Sequence, residues 1–264
     1  MTAVRPHIVL QTKNLSIGYK NKQQTTVVAA NIDMSLIKGE LVAVVGANGV
    51  GKSTLLRTLA NIQPSLQGNI FLDSEELSLY KPMELASKLS LVLTEQIPSK
   101  NLTVAELIGL SRQPYTNWLG TLTKADMEFI SQALAATNTT KLADKKCYQL
   151  SDGQFQKVMI ARALAQDTAL IILDEPTTHL DMYHKAYVLN LLKKLAQTTQ
   201  KSILFSSHEI DLAIQLCDKL LVITENASFF GTPRELIEQR IFSSLFPDDL
   251  IVFDETSASF KVKK

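Results

Sequence analysis

Short runs of Val, Ile and Leu alternate along this chain with longer stretches in which apolar residues return every three or four positions. The alternation predicts an α/β sheet with buried parallel strands, because a strand covered by helices on both faces has no polar side to show. Strands are expected near residues 8–19, 25–36, 41–46, 69–73, 89–93, 169–174, 202–206 and 219–224. The first two precede any clear helix and suggest an antiparallel flap beside the main sheet. Between about 100 and 166 the texture changes. "TVAELIGLSRQPY", "KADMEFISQALAAT" and "QFQKVMIARALAQ" follow one another with helical spacing and no convincing strand, which suggests a helical insertion into the α/β core. After Gly231, "TPRELIEQR" reads as a helix with Pro at its start and "LIVFDETSASFKV" as a short terminal hairpin.

Composition narrows the picture. With 264 residues, 45% of them hydrophobic, the chain can bury a real core. A formal net charge of +1 argues against a nucleic-acid binder that relies on a basic surface. Cys147 and Cys217 lie far apart without CxxC spacing, so they are expected to be packed free thiols in a reducing compartment. The opening "MTAVRPHIVLQTK" is broken by Arg5 and Pro6 and does not read as a signal peptide. Runs such as "LVAVVGA" and "ALIIL" fall far short of the ~20 residues of a membrane span. Work at a membrane would therefore need a spanning partner.

The strongest chemical signal is "ELVAVVGANGVGKSTLLRTLA". Residues 46–53 fit G-x-x-x-x-G-K-[ST], with an apolar strand before and a helix after. Gly46, Gly49 and Gly51 let the backbone bend so that successive N–H groups face a β-phosphate, with Lys52 reaching the β and γ oxygens and Ser53 offering its hydroxyl to Mg²⁺. The second signal is "ALIILDEP", a buried strand ending in two carboxylates. Neighbouring strand residues point to opposite sides, so Asp174 and Glu175 are expected to differ in role. Asp174 is placed to act on the metal through water. Glu175 is free to orient or deprotonate the attacking water. A third is His208, just after "SILFSS", on the edge where α/β proteins bind ligands and where an imidazole could donate to the γ-phosphate.

A second anion-binding pattern stands a hundred positions after the first. In "LSDGQFQKVMIARAL", Ser, Asp and Gly precede a helix expected over 154–165, 12 residues and so ~18 Å long. The chain then reverses into the strand that delivers Asp174, so this helix start faces the nucleotide edge of the sheet. Direction alone leaves open whether it serves its own phosphates or a neighbour's.

Taken in order, "GANGVGKST", "LSDGQ", "LIILDEP", "HLD" and "SSHE" resemble the ATP-binding cassette ATPases over nearly the whole chain. The resemblance implies one nucleotide-binding domain over 1–264. It would comprise a RecA-like P-loop NTPase core with a mostly parallel sheet and an N-terminal antiparallel β flap (about 1–95 and 167–230), an inserted α-helical subdomain (about 96–166), and a C-terminal helix and hairpin (231–264). It implies ATP and Mg²⁺ as ligands, and two copies stacked head to tail so that each signature helix caps the nucleotide held by the opposite P-loop. Residue by residue, Tyr19 becomes the adenine-stacking aromatic. Ala47, Asn48, Val50 and Thr54 complete the P-loop contacts, while Ser151, Gly153 and Gln154 become the contacts in trans. Asp181 becomes the aspartate linking the two sites at the dimer interface. Two departures stand out. The signature carries Asp152 where Gly is usual, and that carboxylate is expected to turn to solvent or to a basic partner rather than face a γ-phosphate. The loop glutamine that binds metal is assigned to Gln96, with Thr94 and Glu95 as alternatives.

The segment "NLTVAELIGLSRQPYTNWLGTLTKADMEFISQAL" is similar to the helical region of ATPases that drive uptake of iron–siderophore, haem and cobalamin complexes, with its Arg-x-Pro and aromatic, its G-x-L turn and its Asp-led helix. Tyr115 and Trp118 belong to this stretch. The resemblance implies a homodimer formed around ATP, integral-membrane permease partners, no nucleic acid, and a peripheral position on the cytoplasmic face of the inner membrane. An exporter ATPase and a soluble cassette of iron–sulfur assembly are the rival readings. A non-hydrolysing sensor is disfavoured by the presence of both Glu175 and His208.

Overall fold

Strands β1 (Ile8–Lys20) and β2 (Thr25–Ile37) pair antiparallel, and the fully buried β3 (Leu41–Val45) opens the main sheet and leads into α1 (Lys52–Leu59). The chain then returns through β4 (Gln67–Leu72) and β5 (Glu75–Glu76), which extend the flap to four strands in the order β2-β1-β4-β5. This computed structural model describes residues 7–22, 24–94, 100–246 and 249–263. Helix α2 (Pro82–Lys88) precedes β6 (Leu89–Val92), and helices α3 (Val104–Gly109), α4 (Lys124–Ala136) and α5 (Asp152–Ala165) follow. From β7 (Leu170–Leu173) the chain alternates through α6 (Met182–Thr199), β8 (Ser202–Ser207), α7 (Ile210–Leu216) and β9 (Lys219–Ile223). It ends with β10 (Ser228–Gly231), α8 (Pro233–Glu238) and the hairpin of β11 (Ile251–Asp254) and β12 (Ser259–Val262).

The main sheet has the order β10-β9-β3-β8-β7-β6, parallel except for β10. Both of its faces are covered. Leu41, Ala43 and Val45 of β3 pack into the core shared with α5 and α6, whereas Val42 and Val44 join the core formed with α1 and the flap. A strand buried on two sides has no polar alternation, which is why β3 reads as a continuous apolar run.

Two strands fell below the reach of periodicity. The charged, two-residue β5 is too short to carry a pattern, and the four residues of β10 are all partly buried, so no in-out alternation marks them. The strand expected near 69–73 is β4, and it belongs to the flap rather than beside the parallel strands. The helix expected over 154–165 starts at Asp152, because Ser151 caps it.

Between residues 100 and 166 no strand forms among the described residues, apart from one isolated bridge between Thr103 and Lys146. This stretch is held by Arg112, in a 3-10 turn over Leu110–Tyr115. The residue is 4% exposed; its Nε donates to Asp126 Oδ1 (2.9 Å) and its Nη1 to the carbonyl of Ala165 (2.8 Å). Its guanidinium lies between the rings of Tyr115 and Phe129, 4.1 and 4.3 Å from their centroids. Asp126 also completes the capping box of α4 with Thr123. The Arg-x-Pro-aromatic motif and the Asp-led helix are thus two halves of one joint, in which Tyr115 packs while Trp118 stands 90% exposed. Cys147 and Cys217 are buried and unpaired, as their spacing predicts, and burial raises the pKa of both thiols. No described helix is long and apolar enough to cross a membrane.

Truncating Arg112 to Ala would leave Asp126 buried without its ion pair, at a cost of about 3–5 kcal/mol, measurable as a lowered midpoint of urea unfolding. The hydroxyl and backbone N–H of Thr123, aided by Arg112, hold the Asp126 carboxyl below its ordinary pKa. A depressed folded-state pKa contributes stability above the unfolded value and loses it as pH falls through the folded one. The gap between wild type and variant should therefore narrow as pH is taken below the ordinary Asp value of about 3.9.

Candidate active site

Strands β3, β7 and β8 deliver their C-terminal ends to one edge, with Val45 opposite Ser207 and Leu173 opposite Phe205. Residues 46–53 leave β3 at this edge. A Cβ on Gly46 would sit 2.2 Å from the carbonyl of Ile223, and one on Gly51 (φ +101°) 2.4 Å from Val28 Cγ1, so both positions need glycine. Gly51 begins α1 without any side-chain cap, which leaves the first N–H groups of that helix available to an anion.

Lys52, 5% exposed, is folded back so that Nζ donates to the carbonyls of Gly46 and Ala47, both at 3.0 Å. Burial lowers its pKa, opposed in part by the charges of Glu175 and Asp174. Lys52 Nζ also lies 3.5 Å from His208 Nδ1, and His208 Nε2 lies 2.6 Å from Glu175 Oε1. An ammonium can only donate, so this chain is consistent with an imidazole carrying its proton on Nε2. Thr178 donates to the other oxygen, Glu175 Oε2 (2.9 Å). Both oxygens of the expected water-activating carboxylate are therefore held by donors.

Asp174 is 3% exposed, and the hydroxyls of Ser53 and Ser206 both donate to its Oδ1, at 3.0 and 2.6 Å. A serine oxygen and a carboxylate in contact form a hard-oxygen set that suits Mg²⁺. Asn48, Gly49 and Tyr19 border the same cleft. Tyr19 is 56% exposed, with its hydroxyl 2.8 Å from Thr54 Oγ1, so the ring stands beside the P-loop rather than in the core. Val50, by contrast, is buried against the flap core.

At the start of α5, Ser151 Oγ accepts the N–H of Gln154 (3.4 Å) and Gln154 Oε1 accepts the N–H of Ser151 (3.2 Å). Among the described residues, Ser151, Gly153 and Gln154 make no hydrogen bond to the P-loop. The helix start does open on a cleft shared with Asp174, Glu175 and Thr178, as the chain reversal predicts. Asp152 faces that cleft exposed and, among the described residues, without a hydrogen bond or ion pair, even though Lys100 lines it too. In the first turn its charge also favours the helix dipole. Asp181 caps α6, accepting from the backbone N–H and the Nδ1 of His184. A Cβ on Gly153 would come within 3.1 Å of His184 Cδ2. One imidazole thus joins the signature glycine to Asp181 within a single chain. Gln96 and Glu95 lie outside the described residues; Thr94 is exposed on the same cleft.

Sequence reasoning did not single out Thr178, His184 or Ser206. The available signal for Ser206 was a serine pair closing an otherwise apolar strand, "SILFSS". His184 offered only its position three residues after Asp181.

A profile of the ABC transporter family matches residues 29–178. An uncharacterized ABC transporter ATP-binding protein of Methanocaldococcus jannaschii is 36% identical over 256 residues, covering 97% of this chain and 87% of that protein. The ferric enterobactin transport ATP-binding protein FepC of Escherichia coli is 32% identical over 250 residues, covering 94% and 91%. The petrobactin import ATP-binding protein FpuD of Bacillus anthracis is 35% identical over 238 residues, covering 90% and 86%. Among solved structures, an ABC transporter in an inward-facing conformation superposes with a TM-score of 0.78 at 29% identity, over 96% of this chain and 95% of that one. A bacterial ABC transporter cassette solved as a dimer gives 0.72 at 26%, over 85% and 99%. With its cradle, its paired carboxylates and relatives aligned over most of its length, the chain belongs to the ABC transporter family as an ATP-binding, ATP-hydrolysing subunit.

Proposed function

We propose that this chain energises an importer of iron–siderophore, haem or cobalamin complexes, by head-to-tail closure of two copies around two ATP molecules at the cytoplasmic face of a membrane. The observation that carries the hydrolytic part is the placement of the Lys52 cradle, Asp174 and Glu175 on one sheet edge. The import part is supported by relatives named for ferric enterobactin and petrobactin.

The P-loop amides and Lys52 bind the β- and γ-phosphates, with Lys52 exchanging its carbonyl partners for phosphate oxygens as the nucleotide enters. Tyr19 stacks on the adenine. Ser53 and Asp174 would hold Mg²⁺, with Gln96 as a further contact; bound there, the metal would neutralise charge on the phosphate oxygens. Glu175 orients the attacking water or takes its proton, and His208 turns from Glu175 toward the γ-phosphate. The capping box ties Ser151 and Gln154 to each other, with Ser151 exposed at the α5 start. Their lack of a bond to their own P-loop favours service to the partner's nucleotide. In that arrangement, Asp181 lies where the two copies meet. Loss of the γ-phosphate removes contacts present only in the closed state, so the dimer reopens and passes the motion to membrane-spanning permease subunits.

Glu175→Gln should lower turnover about a hundredfold or more while ATP still binds, and the variant should accumulate as an ATP-dependent dimer in size-exclusion chromatography. Asp152→Gly should change turnover less than about tenfold, since the carboxylate, though on the cleft, is open to solvent that screens its charge; a larger rise would place its charge at the γ-phosphate. For import, the chain co-purified with its permease and sealed in vesicles should drive ATP-dependent accumulation of a radiolabelled ferric siderophore, haem or cobalamin. Movement in the opposite direction would favour the exporter reading.

A further inference from the structure

Ser206 is fully buried on β8, yet its hydroxyl touches both residues of the acidic pair. The backbone N–H of Glu175 lies 2.8 Å from Ser206 Oγ. An amide can only donate, so the serine oxygen accepts there, and its single proton goes to Asp174 Oδ1 at 2.6 Å. The direction is therefore fixed from amide to hydroxyl to carboxylate. Ser53 donates to that same Oδ1, so two hydroxyls converge on one oxygen of Asp174. Glu175 itself sits at φ +47°, a left-handed conformation disfavoured for a residue with a Cβ, and such a peptide persists only where its surroundings hold it.

We propose that Ser206 is a positioning residue for ATP hydrolysis, one hydroxyl that sets the Asp174 carboxylate for the metal and locks the left-handed peptide that aims Glu175. This rests on the reading of Asp174 and Glu175 as the metal-binding and water-activating pair. Asp174 and Glu175 follow the end of β7, and the left-handed turn at Glu175 takes them off the strand path, so strand alternation does not fix how the two carboxylates sit. A third group bonded to both keeps their two tasks in register. Leu173 pairs with Phe205, so the next residue on each strand brings Asp174 and Ser206 side by side. Ser206 is fully buried and its hydroxyl is bonded to Asp174 and Glu175, so it acts through these two neighbours.

The test compares Ser206→Ala and Ser206→Cys in the full chain. Removing the hydroxyl leaves a part-buried N–H without its partner, an effect of about tenfold. In the nucleotide-free protein, hydrogen exchange followed by NMR should show the Glu175 amide protected in wild type and exchanging about tenfold faster in Ser206→Ala, with the amides of β8 unchanged. In ATPase assays, kcat should fall about tenfold and the Mg²⁺ concentration for half-maximal turnover should rise by a similar factor, while KM for ATP stays nearly constant. A Cys side chain fills almost the same volume but hydrogen-bonds weakly, so Ser206→Cys should behave like Ala. If Cys matches wild type, Ser206 serves packing and the proposal is wrong. An unchanged Glu175 amide or Mg²⁺ midpoint in Ser206→Ala would also overturn it. Should wild type show no turnover at all, the hydrolytic reading fails, and the exchange experiment still decides whether Ser206 holds the peptide.

Discussion

Because Val45 pairs with Ser207 and Leu173 with Phe205, strands β3, β7 and β8 end at one level of a sheet buried on both faces, and everything the site does depends on that shared edge. The P-loop leaves from one strand, the acidic pair from the next but one, and His208 from the strand between them. A slip of two residues between any pair would separate groups that now meet within hydrogen-bond distance, about 6–7 Å per slip. The apolar side chains that alternate between the two cores resist such a slip. Packing and catalysis are therefore served by one register.

The polar contacts at this edge form two connected groups. In one, Ser53 and Ser206 converge on Asp174; in the other, Lys52, His208 and Thr178 surround Glu175. The Ser206 hydroxyl joins them by accepting the Glu175 amide. Lys52, at low exposure, is held by the carbonyls of Gly46 and Ala47 beside the two carboxylates.

The helical stretch is joined to the core on different terms. Arg112 links the 3-10 turn after α3, the start of α4 and the end of α5, adding a buried ion pair and two aromatic faces to the apolar packing of Val104, Leu107, Ile130 and Leu134 in the core shared with β3 and β7. The opposite end of α5 presents Asp152 to the cleft in front of the acidic pair, and His184 bridges this end to Asp181. One helix thus connects the Arg112 joint to the signature residues. Its length, 14 residues, corresponds to about 21 Å.

The sequence alone determined the parallel sheet, the cradle at 46–53, the acidic pair after "LIIL", and the capped start of α5. Each of these is written in contiguous residues, where strand burial, glycine geometry and capping act over a few bonds. Tertiary structure decided the rest. β4 joined the flap instead of the main sheet, and β5 and β10 formed on edges where pairing rather than periodicity defines a strand. Arg112 found Asp126 fourteen positions away, and Ser206 reached across from another strand to both members of the pair. Such contacts depend on register and on the path of loops between elements, and a linear pattern of apolar and polar residues does not encode which side chain lands opposite which.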